Sequence, residues 1–143
     1  MIKRKNNAHQ IAYFKKKAST AILLGAVVAL DSDGYLIPAT ASTTTHIGVS
    51  MQAIAATDTD YSSTKDVMVD IAKSPTDVFT AEVSAGTVAQ TAIGAFYDLN
   101  ATGDKVDLSA TSVKAVYVVA VNTAAGTVDI QINSLASVDE TGA

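Results

Sequence analysis

The sequence predicts an all-β protein: a small sandwich or barrel built from two similar β-hairpin units, preceded by an extended basic N-terminal arm. Three observations carry this expectation. Val, Ile, Thr and Tyr are abundant, while long runs of Leu, Glu, Lys and Arg are missing, and branched or aromatic side chains suit a pleated, half-buried surface. Short apolar stretches are separated by clusters of Gly, Asp, Asn, Ser and Thr, the residues of tight turns. Finally, one stretch near the start of the chain returns further on.

That stretch is "GAVVALDSDGYLIPATA", from Gly25. It can be laid without a gap over "GAFYDLNATGDKVDLSA", from Gly94. Gly25 falls on Gly94, Leu30 on Leu99, Gly34 on Gly103, Leu36 on Lys105 and Ala41 on Ala110. At the same offset "HIGVSM" from His46 meets "AVYVVA" from Ala115, and with a small slip "VDIAK" from Val69 meets "VDIQI" from Val128. Each copy reads as strand, Gly-containing turn, strand, the Gly supplying the positive φ that such turns need. The repeat also bears on a competing reading, in which Lys15–Lys17 and the apolar run 21–30 form a secretion signal cleaved near Val27-Val28-Ala29. The second copy lies mid-chain and cannot be a signal, so the first is expected to be structure. The run is also shorter than the ~20 residues a bilayer span requires.

At 143 residues the chain has room for one domain's core. The expected division is an arm over 1–20, a β domain over 21–135 and a C-terminal tail over 136–143. In the arm, Ile11, Phe14 and Ala18 stand at helical spacing, so a short helix is one option there. Strands are expected at Ala26–Leu30, Tyr35–Pro38, Ile47–Met51, Val67–Ala72, Val78–Val83, Ala95–Leu99, Lys105–Leu108, Ala115–Val121 and Thr127–Asn133. The alternation in Val67, Val69, Ile71 and in Val128, Ile130, Ile132 belongs to sheets with one wet face.

Charge divides the chain. Of its ten cations, Lys3, Arg4, Lys5, Lys15, Lys16 and Lys17 precede residue 18, whereas all fourteen acids lie from Asp31 onward. A basic arm on an acidic body points to an arm that touches something else. Its partner-binding residues are expected to be those six cations together with Ile11, Tyr13 and Phe14. They suit docking on an acidic protein surface with apolar anchors, or phosphate neutralisation and base stacking on nucleic acid.

Catalytic, cofactor and metal chemistry finds little support in the residues. Cysteine is absent, which removes disulfides and thiolate sites. Asp31-Ser-Asp33-Gly34 opens like a calcium loop, but Ser42 stands where the bidentate Glu belongs. Asp58 and Asp60 read as solvated loop carboxylates. Asp66 and Asp70 share a strand face with nothing to suggest burial, and His46 reads as a strand-edge residue without triad partners. "GTVAQTAIG" lacks the Lys-Ser/Thr of a phosphate loop. The chain is expected not to be an enzyme, and to need no cofactor or metal.

The order of features resembles the small capsid decoration, or head cement, proteins of tailed bacteriophages. The resemblance covers roughly residues 22–133. It rests on the Gly25–Ala41 hairpin, Ile47–Val49, Val67–Val69, Val78–Phe79, Gly86–Val106 and the closing Val128–Asn133. Ala26 and Ala95 stand where the pattern has an acid, and the lysine-rich arm is not part of it. The resemblance implies a structural, non-enzymatic virion protein on the outer capsid surface. Such a protein trimerises, bridges major capsid protein subunits and stabilises the shell. Its partners would be the major capsid protein and itself, without a membrane and with nucleic acid unlikely. The arm would dock on neighbouring subunits, and Phe79, Phe96 and Tyr97 would be core or trimer contacts. Rival readings are a nucleic-acid-binding structural protein that uses the arm, and an adhesive or fibre-associated β domain.

Overall fold

The computed structural model describes residues 1–43, 45–72 and 76–133. Over these residues the regular secondary structure is almost wholly strand, joined by turns and loops. The elements are β1 (Ile2–Arg4), β2 (Ile11–Lys15), β3 (Val27–Leu30), β4 (Leu36–Pro38), β5 (His46–Ser50), β6 (Asp66–Ile71), β7 (Phe79–Ala85), β8 (Phe96–Leu99), β9 (Val106–Asp107), β10 (Val116–Asn122) and β11 (Thr127–Ile132). One 3₁₀ turn covers Gln90–Ala92. The all-β expectation holds, and each of the nine expected strands coincides with one of β3 to β11.

The strands form two sheets. One has the order β1-β7-β11-β10-β8-β9, and β9 pairs again with β7 in parallel, so β7, β11, β10, β8 and β9 close into a five-stranded barrel. β1 occupies the half of β7 around Ala81 that β9 leaves free. The other sheet has the order β2-β6-β5-β3-β4 and is antiparallel throughout, with a single parallel bridge between Lys16 and Leu36 drawing its two ends together. Among the described residues no helix is long and apolar enough to cross a membrane.

The two sheets are built to one plan. Replacing β2, β6, β5, β3, β4 by β7, β11, β10, β8, β9 reproduces the second strand order from the first. Register agrees with the repeat seen in the sequence. Ala12 faces Val69 as Ala81 faces Val128, and Ile11 faces Asp70 as Thr80 faces Asp129. The repeating unit is therefore five strands rather than a hairpin, and its first copy starts at β2. One position is corrected: Leu36 pairs with Leu30 as Val106 pairs with Leu99, so the counterpart of Leu36 is Val106 and not Lys105. The second turn is one residue longer.

This plan also corrects the expected arm. Residues 1–20 are not an extended appendage but supply β1 and β2, because the first five-stranded unit needs its first strand. The helical option at Ile11, Phe14 and Ala18 gives way to a period of two, with Ile11, Tyr13 and Lys15 exposed and Ala12 and Phe14 half-buried. Ile2 is buried in the main core. The expected tail over 136–143 lies outside the described residues.

Two apolar clusters fill the molecule. The larger takes Phe79, Val118, Val128 and Ile130 from the barrel and adds Val27, Val49 and Ala72 from the other sheet. The smaller gathers Ile22, Val28, Leu36, Ile54, Val67 and Val69. β3 thus feeds both clusters, Val27 one and Val28 the other, so both faces of the strand are dry. That explains the unbroken apolar run that resembles a signal: Ala26 to Ala29 are each 0 % exposed, as strands covered on both faces are.

Two glycines separate the cost of space from the cost of backbone conformation. At Gly48 in β5 a Cβ would sit 2.2 Å from the Asp70 carbonyl oxygen of the paired strand. At Gly34 nothing lies within 4 Å, but φ is +85°. Gly34→Ala is expected to cost about 1 kcal/mol, the price of a left-handed alanine. Gly48→Ala should cost about 2–4 kcal/mol, because two backbones must part. Chemical denaturation of the two variants checks the order, and equal losses would contradict it.

Candidate functional site

The strongest electrostatic feature lies where the N-terminal segment crosses from the first sheet to the second. Arg4 ends β1. Its side chain turns inward, 1 % exposed, onto Asp70 in β6 and Asp77 just before β7. Nε donates to both Asp70 oxygens at 3.0 Å, and Nη2 donates to Asp70 Oδ1 at 2.7 Å and to the Ile71 carbonyl at 2.9 Å. Nη1 lies 2.9 Å from Asp77 Oδ1. The guanidinium also stands over the Phe79 ring, 4.9 Å from its centroid, a geometry attractive for a cation.

The loop from β1 to β2 completes the network. Asn6 Nδ2 donates to the Thr76 carbonyl, while Asn6 Oδ1 accepts from the Val78 amide. Asn7, held at φ +58°, donates to Asp77 Oδ1 at 3.0 Å. His9 Nδ1 lies 2.6 Å from Asp70 Oδ2, and the Gln10 amide donates to Asp70 Oδ1 at 3.2 Å. Burial alone would raise the Asp70 carboxyl, yet hydrogen bonds from Arg4, His9 and Gln10 outweigh it and hold the group below the usual carboxylate range. Hydrogen bonding to Asp70 raises the Arg4 guanidinium further above its ordinary value, against the opposing effect of burial. Charge-assisted, bidentate contacts of this kind are the strong ones.

The other sequence-predicted partner residues are placed as follows. Lys5 is ion-paired with Asp129, and Lys15 lies 3.4 Å from Asp66. Lys16 is fully buried, Nζ donating to the Tyr61 carbonyl at 2.6 Å and the Lys17 carbonyl at 3.1 Å, with burial pulling its pKa down. Lys3 and Lys17 make no ion pair among the described residues. Phe14 packs on the smaller core, whereas Ile11 and Tyr13 are 42 % and 59 % exposed. Four of the six basic residues thus find their partners inside the chain, three on its acids and one on backbone carbonyls. Charge asymmetry pointed to an external partner; much of it is instead the two halves of an internal attraction.

Other candidates resolve into local structure. Asp31 Oδ1 accepts from the Asp33 and Tyr35 amides, both at 2.9 Å, which makes it a turn former. Asp58 bonds the Ala55 amide, and Asp60 pairs with Lys65. Asp66 is exposed as expected, but Asp70 is 2 % exposed, contrary to the wet-face reading of β6, because Arg4 and His9 cover it. Asp98, in β8, accepts the amides of Ser112, Val113 and Lys114. His46 stands at the first position of β5 and is buried. Burial pushes its imidazole down, and backbone groups of Asn133 and Thr43 offset this only in part. No cluster of three or more metal-ligating side chains occurs among the described residues. An open pocket of about 200 Å³ lies over the Arg4 network, walled by Met1, Leu24, Val49 and Met51. Of the polar side chains that line it, Arg4 and His9 are each bonded to Asp70.

Sequence reasoning missed Asp70, Asp77 and His9 as members of one network. The signal available was the near match between a basic start and acids placed beside later strands; which acids meet which cations is set only by the fold.

Arg4→Met leaves Asp70 and Asp77 buried without their cation and is expected to cost about 3–5 kcal/mol, measured by denaturant unfolding. Stability should also fall with acidification in two windows. His46 has a lowered folded pKa, so the unfolded chain takes up the proton first, and stability drops as pH falls below about 6.5. Asp70 has a lowered folded pKa, so its contribution is full above the ordinary carboxylate value and is lost as pH falls below about 4. Thermal midpoints from pH 8 to pH 3 test this. His46→Leu should flatten the upper window and leave the lower one, and an unchanged upper slope would assign that loss elsewhere.

No family model matches the chain, and no curated protein matches it.

Proposed function

We propose that the protein is a structural virion component that decorates the outer surface of a bacteriophage capsid and stabilises it by bridging major capsid protein subunits. What carries this reading is the resemblance over residues 22–133. The segments on which it rests fall in the two like five-stranded units: the Gly25–Ala41 hairpin on β3 and β4, Ile47–Val49 on β5, Val67–Val69 on β6, Val78–Phe79 at the start of β7, Gly86–Val106 from the end of β7 through β8 to β9, and Val128–Asn133 on β11. Arg4, Asp70, Asp31 and Asp98 hold strands and turns together, which suits a protein whose work is mechanical.

The mode of attachment differs from that expected of a free arm. With β1 and β2 bonded into the sheets, docking uses preformed surfaces. Phe96, 40 % exposed with its ring centroid 4.9 Å from that of Tyr117, and the neighbouring exposed Ile93 form an apolar patch suited to self-contact in a trimer, whereas Phe79 is core. A trimer spread over several shell subunits makes its later contacts intramolecular, which multiplies modest affinities.

Composition of purified, nuclease-treated particles from the source tests the reading. A band for this chain near equimolar with the major shell protein, removable without release of DNA, is the expected outcome. Its absence from intact particles would end the proposal.

A further inference from the structure

We propose that the outer edge of β2 is a strand-accepting site, and that its occupant is an extended, acid-bearing segment of the shell subunit, a partner that rests on the reading above. The bonding pattern defines the edge. The Ile71 amide donates to the Gln10 carbonyl and the Lys16 amide to the Lys65 carbonyl, both at 2.9 Å. Backbone groups alternate in direction along an antiparallel strand. Positions 10, 12, 14 and 16 therefore face β6, and Ile11, Tyr13 and Lys15 direct their amides and carbonyls the other way. On that side β2 is the last strand of its sheet. Contact with β4 begins only at the Lys16–Leu36 bridge and the bond from the Lys17 amide to the Leu36 carbonyl.

An open edge of this length, paired to β6 on one side and bearing apolar side chains, is a template for strand addition. Its exposed face reads Ile11, Tyr13, Lys15; Lys15 is held only by a solvent-exposed contact with Asp66 at 3.4 Å, and the next cation, Lys17, has no ion-pair partner among the described residues. A strand laid beside it would place alternate side chains next to these. The matching pattern, for a strand running parallel to β2, is two apolar residues spaced by one, followed at the same spacing by a carboxylate beside Lys15 and, where β4 takes over the edge, by one that meets the exposed Lys17 side chain. A second copy of β2 fits less well, since antiparallel pairing about Tyr13 sets His9 opposite Lys17 and offers no anion to it.

Hydrogen exchange resolved by residue tests the edge directly. The probe is an eight-residue synthetic peptide that alternates threonine with two valines and then two glutamates. Amides of Ile11, Tyr13 and Lys15 should exchange fast in the isolated protein and at least about tenfold more slowly with peptide bound, while those of Ala12 and Phe14 stay unchanged. Tyr13→Pro removes an edge donor without touching a bond to β6, as prolines on edge strands do. It should weaken peptide binding about tenfold. Lys17→Glu, a change at an exposed and unpaired position, should weaken it severalfold at unaltered stability, and a peptide with lysines for glutamates should bind at least about tenfold more weakly. Slow exchange at the three amides in the isolated protein would overturn the inference, because the edge would already have an occupant. Particles decorated equally by wild type and Tyr13→Pro would also overturn it and leave the shell reading standing. Uptake of the peptide at this edge by a protein absent from particles would remove the shell partner and leave the strand-accepting edge.

Discussion

The ion network around Arg4 is the polar constraint that ties the two sheets together beside their shared apolar core. β1 pairs in the barrel and β2 in the other sheet, and the loop between them passes the point where Arg4 meets Asp70 of one sheet and Asp77 at the entry to the other. A buried cation between two carboxylates is a poor way to gain raw stability, since desolvation offsets much of the attraction. It is an effective way to specify position. An apolar residue at Arg4 would be content in any dry pocket, whereas a guanidinium needs those two carboxylates and the Ile71 carbonyl at set distances. Phe79 beneath the guanidinium and the Asn6 and Asn7 contacts from the loop fix the same geometry from other sides.

Duplication explains why such a pin is needed. Two units with the same strand order could pair within themselves or exchange strands, and alternation alone does not distinguish one unit's first strand from the other's. Ala12 and Ala81 occupy like positions opposite Val69 and Val128, so packing there says little about which strand goes where. The charged positions do differ. Thr80, the counterpart of Ile11, has its hydroxyl bonded to Asp129, while Asp70 opposite Ile11 is taken by Arg4, His9 and Gln10. Polar partners thus break a degeneracy that the apolar repeat creates, one of the better-attested uses of buried polar groups.

The same contrast sets the limit of what the sequence discloses. β3 to β11 were legible because each is a short apolar or alternating run closed by turn residues, and the repeat supplied two readings of one unit. β2 was not, because "IAYFKKKA" satisfies a helical period as well as a strand's, and its neighbour β6 lies more than fifty residues away. β1 is three residues long and takes its strand character from pairing with β7. The site was less legible still. Composition revealed that cations and acids are segregated, but a pairing such as Lys5 with Asp129 exists only once β1 and β11 are brought to either side of β7. Asp70 looked wet because alternation places it opposite Val67 and Val69, and a strand's second face is dry whenever another segment lies across it.

Fixing the N-terminal segment in the fold changes the thermodynamics of whatever the protein binds. A disordered arm over residues 1–20 would lose roughly 1–2 kcal/mol of backbone entropy for each residue ordered on contact, and that loss is subtracted from affinity at the moment of binding. Here the ordering occurs during folding, offset by the Ile2 burial and by the bonds to Asp70, Asp77 and Asp129. The surface that remains, with Ile11 and Tyr13 on a rigid strand, needs only side-chain and solvent adjustment to engage a partner, which is how preorganised binders gain affinity from small contact areas. A preformed edge also gives up the long reach of a free arm. A partner strand must be brought to β2, which demands a partner whose geometry is itself fixed and repeated. An assembled protein lattice meets that demand better than a flexible polymer in solution, and so the folded arm and the proposed setting on a shell support each other.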